Sequence, residues 1–323
     1  MKIYRIMVYI VIVMLCLGLM SFLYMKGIGN NKIEDMEGKP RIIMLAHIYQ
    51  NPYWQIIKQG AEEAAKYRGC IIEYNGPQAA SVEESLKLFD MAINAKVDGI
   101  LTYVQDESLY APYINKASSV GIPVITVDTD ASKSERIAYV GTDNIYAGEA
   151  AAKILCDHID GALNIGIVMG GPTTNQIERV DGFKKYISSY KDAKIVDTQS
   201  SDSYMVEARL MTEKMITNHP DINSIYCTSA LDGAGAAKAI QKLNRTDIVI
   251  VCFDDLPETL DYIDKGIIYA TIVQKPYEMG YKSVNLMMDH IENKSKVSGQ
   301  YITDVEVITR DNLDDYIEQR GER

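Results

Sequence analysis

The segment RIIMLAHIYQNPYWQIIKQGAEEAAKYRGCIIEYN, residues 41–75, contains the pattern that repeats through most of the chain. It predicts a buried strand over 41–47, a helix from about 52 to 67 and a second strand over 70–74. Strands that are apolar along their whole length are typical of sheets covered on both faces. Their alternation with helices of roughly 10–15 residues indicates βαβ units and a parallel sheet.

The same alternation continues to about residue 308 and restarts around residues 137–148. It therefore predicts an α/β fold with two consecutive doubly wound halves, in which a ligand binds at the carboxyl ends of the strands. Further strands are predicted at 98–103, 122–127, 164–168, 194–198, 224–227, 248–253, 268–273 and 304–308.

Polar side chains recur where predicted strands end. Asn51 follows the first strand, Asp128 the fourth, and Asp254 and Gln274 follow two later strands. Some have an alternative structural role, because Asn51 directly before Pro52 is a favourable helix N-cap and Asp254 is equally suited to cap the next helix. Since the carboxyl ends of parallel strands share one edge of a sheet, the recurrence favours a ligand site.

Composition argues against several classes of protein. A length of 323 residues corresponds to about two domains, and 47% hydrophobic residues are enough for sizeable cores. The formal net charge of −11 argues against a nucleic-acid-binding surface, which is normally basic.

The five cysteines form no CxxC pair and no metal-ligand spacing with histidine, so we expect no metal and no cofactor, and their disulfide pairing stays open. Cys227 and Cys252 lie in apolar runs and are expected to be buried thiols.

The N-terminal residues 1–39 predict a membrane anchor followed by a short tether. Residues 6–25 carry no charge, and a helix of this length spans about 30 Å, the thickness of the bilayer core. No small-x-small cleavage site ends the segment, and Cys16 stands in its middle rather than at a lipoprotein cleavage point. We therefore favour one uncleaved transmembrane helix over a cleaved signal peptide or a lipoprotein signal. Basic residues on both sides leave its orientation undecided by charge.

Five motifs carry a resemblance to a known family. They are NPYW at 51–54, GIPVITVD at 121–128, ERVDGF at 178–183, VCFD at 251–254 and ATIVQ at 270–274. With these motifs in this order, residues 41–309 resemble the type I periplasmic sugar-binding proteins, the relatives of ribose- and galactose-binding proteins. The resemblance implies a receptor that closes over a monosaccharide.

The resemblance also implies which side chains contact the sugar. Tyr53 and Trp54 would stack on the ring, while Arg179 and Gln274 would donate to ring or hydroxyl oxygens. Planar carboxylate, amide and guanidinium groups suit neighbouring hydroxyls, each of which is both donor and acceptor. The full implied set is His47, Asn51, Tyr53, Trp54, Asp128, Thr129, Arg179, Tyr204, Ser229, Asp254 and Gln274.

Several positions in this set depart from the ribose-binding pattern. Thr129 stands where that pattern has arginine, His47 replaces a small hydroxyl residue, and Ser229 replaces an amide. Tyr204 is chosen over Ser203 as the aromatic contribution of the second half. These departures put ribose itself in doubt, while the monosaccharide class is retained.

By the same resemblance, the chain forms two lobes joined by three crossings. The N-lobe would comprise residues 41–142 and 275–303, and the C-lobe residues 143–274 and 304–310. The crossings near Thr142, Gln274 and Thr303 would form a three-strand hinge about which the lobes close.

The sequence favours a binding role over catalysis. The four histidines are dispersed, the loop GGPTT at 170–174 lacks the P-loop lysine, and a membrane span stands where a regulator would have a helix-turn-helix. Two roles stay open: co-sensor of a histidine kinase in a two-component system, or substrate-binding protein of a sugar ABC importer. An anchor that holds the binding domain outside the cytoplasm at the cell membrane favours the co-sensor, because importer receptors usually show a cleavage site or a lipid-modified cysteine.

Overall fold

The computed structural model describes residues 14–15, 17–20, 38–293 and 296–321. From residue 41 onward the chain forms two α/β lobes, each built on one six-stranded sheet. This confirms the predicted fold class of two lobes with parallel sheets.

The first lobe combines the first five strands with one strand from near the C-terminus. Its strands are β1 (Arg41–Leu45), β2 (Ile71–Asn75), β3 (Gly99–Thr102), β4 (Val124–Val127), β5 (Ala138–Gly141) and β11 (Gly299–Ile302). Its helices are α1 (Pro52–Arg68), α2 (Val82–Asn94), α3 (Glu107–Ser119) and α9 (Pro276–Ile291). The sheet order is β11-β5-β4-β3-β1-β2, and all neighbouring strands are parallel.

The second lobe repeats this plan. Its strands are β6 (Leu163–Met169), β7 (Ala193–Ser200), β8 (Ser224–Cys227), β9 (Val249–Phe253), β10 (Ala270–Val273) and β12 (Glu306–Thr309). Its helices are α4 (Asn144–His158), α5 (Thr174–Ile187), α6 (Met205–Asn218), α7 (Ala230–Lys242), α8 (Pro257–Asp264) and α10 (Leu313–Gly321). The order is β12-β10-β9-β8-β6-β7, in which only β12 runs antiparallel to its neighbour. Cys227 and Cys252 lie in the core of this lobe as free thiols, as their apolar surroundings predict.

Alternate residues of β1 face opposite sides of the first sheet. Ile42 and Met44 lie in the core that contains Trp54 of α1, whereas Ile43 lies in the core that contains Phe89 of α2. Both faces of the strand are therefore buried beneath helices. This burial explains why the strand is apolar at every position rather than at alternate ones.

The chain passes between the two lobes three times. It leaves the first lobe after β5, returns after β10 to form α9, which packs on α1, and leaves again between β11 and β12. Thr142, Gln274 and Thr303 lie at these passages, and all three are buried. That the passages act as a hinge, with the lobe limits given above, stays a prediction.

Three elements are not predicted by the sequence pattern: β5, β11 and α10. Strand β11 has the sequence GQYI and lies at a sheet edge with most of its residues exposed, so it lacks the apolar run that marks a buried strand. Strand β5 has only four residues and ends in glycine. Short strands of this kind are recognised from their partners rather than from their own residues.

The predicted membrane span at 6–25 lies mostly outside the described residues. Within it, residues 14–15 and 17–20 are helical. In the ranges that the structure describes, no helix is both long enough and apolar enough to cross a bilayer.

Helices α4 and α5 approach each other closely because glycines face the contact. A Cβ atom at Gly148 would lie 2.0 Å from the carbonyl oxygen of Arg179, and one at Gly182 would lie 2.0 Å from that of Ile145. Neither position leaves space for a side chain. The two glycines therefore set how near α5, which carries Arg179, lies to α4.

We predict that Gly148→Ala lowers the free energy of unfolding by about 1–3 kcal/mol, because the added methyl group must displace backbone in a packed contact. Urea unfolding followed by circular dichroism measures this change. Gly321→Ala is the matched control, since a Cβ atom there meets nothing within 4 Å. Equal stability of the two variants would show that α4 and α5 separate at little cost.

Candidate ligand-binding site

A cavity of about 90 Å³ lies between the two lobes, at the carboxyl ends of strands from both sheets. A single water molecule needs roughly 10–15 Å³ on the same scale, so the cavity holds on the order of six to nine waters. It therefore suits one small molecule and is too small for a chain of linked units.

Nine of the eleven residues predicted from sequence line this cavity. They are His47, Asn51, Tyr53, Trp54, Asp128, Arg179, Ser229, Asp254 and Gln274. Thr129 and Tyr204 are not on the wall. The contact of each residue with a ligand stays a prediction, but the fold brings these nine side chains together from both lobes.

Thr129 and Tyr204 are displaced from the cavity for different reasons. Thr129 is fully buried behind Asp128, and its hydroxyl lies 3.4 Å from the Oδ2 atom of that carboxylate. Tyr204 is 52% exposed at the start of α6, and Ser203 lines the cavity instead. Ser203 has a φ of 62°, so the backbone turns sharply before Tyr204 and directs it away from the cavity.

Asn51 combines the two roles that the sequence left open. Its Oδ1 atom accepts hydrogen bonds from the backbone N–H groups of Tyr53 and Trp54 and caps helix α1. The carboxamide oxygen is therefore committed to the helix. Only the Nδ2 amide of Asn51 is available to a ligand, so the side chain would donate rather than accept.

Asp128 and Asp254 occupy equivalent positions in the two lobes. Each follows the last residue of its strand, β4 or β9, and each has a left-handed backbone, with φ values of 68° and 65°. The N–H of Asp128 donates to the Val140 carbonyl and that of Asp254 to the Ile272 carbonyl, both at 2.9 Å. Aspartate tolerates this conformation better than most residues, and here it turns each carboxylate into the cavity.

Arg179 of α5 is held in place by three protein acceptors. Its Nε atom donates to the Asn144 side chain at 2.9 Å, Nη1 to the Thr228 carbonyl at 2.9 Å and Nη2 to Gln274 at 2.7 Å. The guanidinium carbon also lies 4.2 Å from the ring centre of Phe253. Because a guanidinium has five N–H donors, two remain for a ligand.

A hydrogen-bonded bridge joins the two lobes at Asp128. Its Oδ1 atom accepts from the Tyr53 hydroxyl at 2.8 Å, and Oδ2 accepts from the Asn175 amide of the second lobe at 3.1 Å. Asn175 precedes Arg179 by four residues and faces the same side of α5. That spacing is the signal by which it could have been found from the sequence. Tyr103 and Gln176 also line the cavity and were not predicted, and Ser203, over which Tyr204 was chosen, lines it as well.

Carboxylates outnumber cations around the cavity. Arg179 is the only permanent cation among the described lining residues, and it lies close to Asp128, Asp254 and the buried Asp232. Burial raises the pKa of Asp128, and it raises the pKa of Asp254 and of Asp232 to about 7, against the lowering effect of Arg179.

Ser229 lines the cavity, but its hydroxyl proton is used within the protein, because the hydroxyl donates to Asp232 at 2.6 Å.

His47 presents a neutral ring to the cavity. Burial lowers the pKa of His47 to about 4, and its ring centre lies 4.6 Å from that of Tyr103. Its Nε2 atom is buried, and no hydrogen-bond partner for it exists among the described residues. Since a buried polar atom is normally paired, Nε2 is suited to a polar group of the ligand.

Two α/β lobes with a small polar cavity between them are typical of a ligand-binding protein. Residues 42–295 match the family model described as a periplasmic binding protein domain. This match covers more than half of the chain, and the chain therefore belongs to the periplasmic binding protein family.

Several known proteins resemble the chain over most of its length. A solved structure of XylFII is 51% identical and superposes with a TM-score of 0.80, covering 84% of this chain and 99% of that one. The glucose-galactose binding protein GanP from Geobacillus stearothermophilus is 39% identical and superposes with a TM-score of 0.83. The match covers 86% of this chain and 99% of GanP. The ribose import binding protein RbsB of Bacillus subtilis is 28% identical over 245 residues. The match covers 76% of this chain and 79% of RbsB. XylFII is also solved as an XylFII-LytSN complex.

Arg179→Ala is expected to weaken ligand binding by about 10- to 150-fold, because hydrogen bonds to charged groups contribute about 1.5–3 kcal/mol. Tyr204→Ala is the matched control and should bind as the parent does, since its side chain lies outside the cavity. Isothermal titration calorimetry measures both. If Tyr204→Ala loses affinity and Arg179→Ala does not, the cavity described here is not the ligand site.

Asp254→Asn is expected to stabilise the ligand-free protein at pH 8 and to leave it nearly unchanged at pH 4. The folded pKa of about 7 exceeds the usual 3.8, so the folded state binds more protons and loses stability as pH rises between these values. Asparagine removes this loss, which amounts to on the order of 1–4 kcal/mol.

Urea unfolding at both pH values measures the effect of Asp254→Asn, with Asp181→Asn on the exposed side of α5 as the control. A gain of the same size at pH 4 and pH 8 would show that the carboxylate does not titrate in this range.

Proposed function

We propose that the chain is an extracytoplasmic receptor that closes over one monosaccharide and binds it without chemical change. The observation that carries this proposal is the set of polar atoms left available around the cavity. The remaining N–H groups of Arg179 Nη1 and Nη2 and the Nδ2 amide of Asn51 are donors, while the Oδ2 atom of Asp254 is an acceptor. A sugar hydroxyl is both donor and acceptor, so a polyol ring satisfies such a mixed set.

The aromatic part of the wall suits the apolar face of a sugar ring. Tyr53, Trp54 and Tyr103 line the cavity together. Trp54 is almost completely buried and contacts Tyr103 edge to face at 5.7 Å, so these rings form a rigid wall. We assign stacking on the ligand to this wall and hydrogen bonding to the polar residues opposite.

The names of the relatives support a sugar as the ligand. GanP is described as a glucose-galactose binding protein, and RbsB as a ribose import binding protein. A solute binding protein from Burkholderia graminis, 27% identical to this chain, is solved in complex with D-arabinose. These ligands are pentoses and hexoses, which supports the size class that the cavity volume indicates.

For the partner, we favour a sensor histidine kinase in the membrane, with this chain as its co-sensor. XylFII, at 51% identity, forms a complex with a second protein, LytSN, which supports a protein partner for this chain. The second candidate is the substrate-binding protein of a sugar ABC importer, and the import role in the name of RbsB favours it. In both roles the ligand shifts the balance of open and closed forms by its higher affinity for the closed form.

A monosaccharide is expected to raise the thermal unfolding midpoint of the full chain in detergent. At 100-fold excess over Kd the gain in unfolding free energy is about 2.7 kcal/mol. The ligands to screen are ribose, arabinose, xylose, glucose, galactose and polyols, with amino acids and nucleosides as controls. If only an amino acid or a nucleoside raises the midpoint, the sugar assignment is wrong.

In its native host the receptor is expected to stay in the membrane fraction with residues 6–25 attached and to crosslink to a sensor kinase. A retained anchor raises the effective concentration of the receptor near a membrane partner. Mass spectrometry of the purified protein measures both the N-terminus and the crosslinked partner. A mature chain that begins near Asn30, or a diacylglyceryl group on Cys16, would contradict the anchor, and an ABC permease as the crosslinked protein would favour the importer role.

A further inference from the structure

Thr142 lies at the first passage between the lobes and contacts the second passage directly. Its side chain is buried, and its Oγ1 atom donates to Oε1 of Gln274 at 2.9 Å. Gln274 follows β10, where the chain returns to the first lobe. One hydroxyl therefore joins two of the three passages between the lobes.

The Gln274 carboxamide is held by this hydrogen bond and by two others. Oε1 accepts from both Thr142 and Arg179 Nη2, while Nε2 donates to Asp254 Oδ1 at 2.9 Å. A flipped carboxamide would place its N–H₂ group against the Arg179 guanidinium, which can only donate, and its oxygen against the Asp254 carboxylate. Arg179 and Asp254 therefore define which end of the carboxamide faces each of them, and the Thr142 hydroxyl, as the second donor to Oε1, holds the group in that position.

The backbone of Thr142 supports the guanidinium from its other side. The Thr142 carbonyl accepts from the Asn144 amide at 3.3 Å and from the Tyr139 hydroxyl at 2.9 Å. Asn144 in turn accepts from Arg179 Nε at 2.9 Å. Two of the three protein acceptors of Arg179 are therefore held by the same residue.

We propose that Thr142 is a positioning residue for ligand binding, which sets the Arg179 guanidinium and the Asp254 carboxylate through Gln274. Thr142 does not line the cavity, so it acts without touching the ligand. The proposal rests on the function proposed above. It adds that Arg179 and two of the passages between the lobes belong to one hydrogen-bonded network, because Gln274 bonds to both Arg179 and Thr142.

Thr303 provides a matched control within the same fold. It lies at the third passage and is buried to the same degree as Thr142, with 2% of its surface exposed in each case. Its Oγ1 atom has no hydrogen-bond partner among the residues that the structure describes. Replacement by valine at 142 removes a hydrogen bond, whereas the same replacement at 303 removes none.

The test is the affinity of the full chain in detergent for the best-binding sugar among ribose, arabinose, xylose, glucose and galactose. Thr142→Val should weaken binding by about 2- to 12-fold, the range for a neutral hydrogen bond. Thr142→Ser, which keeps the hydroxyl, should restore it, and Thr303→Val should bind as the parent does. If Thr142→Val does not fold, Thr142→Ala takes its place, since it also lacks the hydroxyl.

A double-mutant cycle with Gln274→Leu tests whether Thr142 acts through Gln274. We expect that adding Thr142→Val to Gln274→Leu causes no further loss of affinity, because the hydroxyl then has no carboxamide to hold in place. Additive losses, an unchanged affinity of Thr142→Val, or a loss that serine does not restore would each overturn the proposal. If the parent binds none of the five sugars, it is the proposed function that fails, and Thr142 has no sugar site to position.

Discussion

The buried guanidinium of Arg179 is the interaction on which the site depends. A cation removed from water needs acceptors and counter-charges, and here three protein oxygens hold it while Asp128, Asp254 and Asp232 lie near it. The carboxylates in turn need the cation, since burial alone raises the pKa of each. The ligand-free cavity therefore contains polar groups that are only partly satisfied. In the function proposed above, a ligand with hydroxyl groups would complete their hydrogen bonds, and this would give the closed form its higher affinity.

The near-equivalence of the two lobes explains how these groups converge. Each lobe ends a central strand in an aspartate with a left-handed backbone, and each sheet directs that strand end toward the cavity between the lobes. The equivalence is not complete, because the second lobe contributes the cation through α5 and the first contributes most of the aromatic wall. Close packing of α4 on α5 at Gly148 fixes the helix that carries Arg179. A change at that glycine is thus expected to affect the fold and the site together.

Two of the passages between the lobes belong to the same hydrogen-bonded network as the site. Gln274 touches Arg179, Asp254 and Thr142, so it connects ligand-binding groups to two chain crossings at once. A receptor that reports binding to a partner needs such a connection, because the partner detects the arrangement of the lobes rather than the ligand. The hydrogen-bonded network around Gln274 suits a co-sensor and an importer receptor equally.

The sequence by itself determined the alternation of strands and helices, because a strand buried on both faces must be apolar throughout, as β1 is. It also indicated where the polar residues of the site lie, since Asn51, Asp128, Asp254 and Gln274 each follow a predicted strand. Only the tertiary structure decided how these side chains are used. Asn51 gives its oxygen to a helix cap, Tyr204 turns outward after a left-handed Ser203, and Asn175 joins the wall from a neighbouring turn of α5. Strand β11 likewise forms by pairing with β5. As an exposed edge strand, it has no apolar pattern of its own from which it could be predicted. Hydrogen-bond partners from distant parts of the chain set these outcomes, and no local run of residues encodes them.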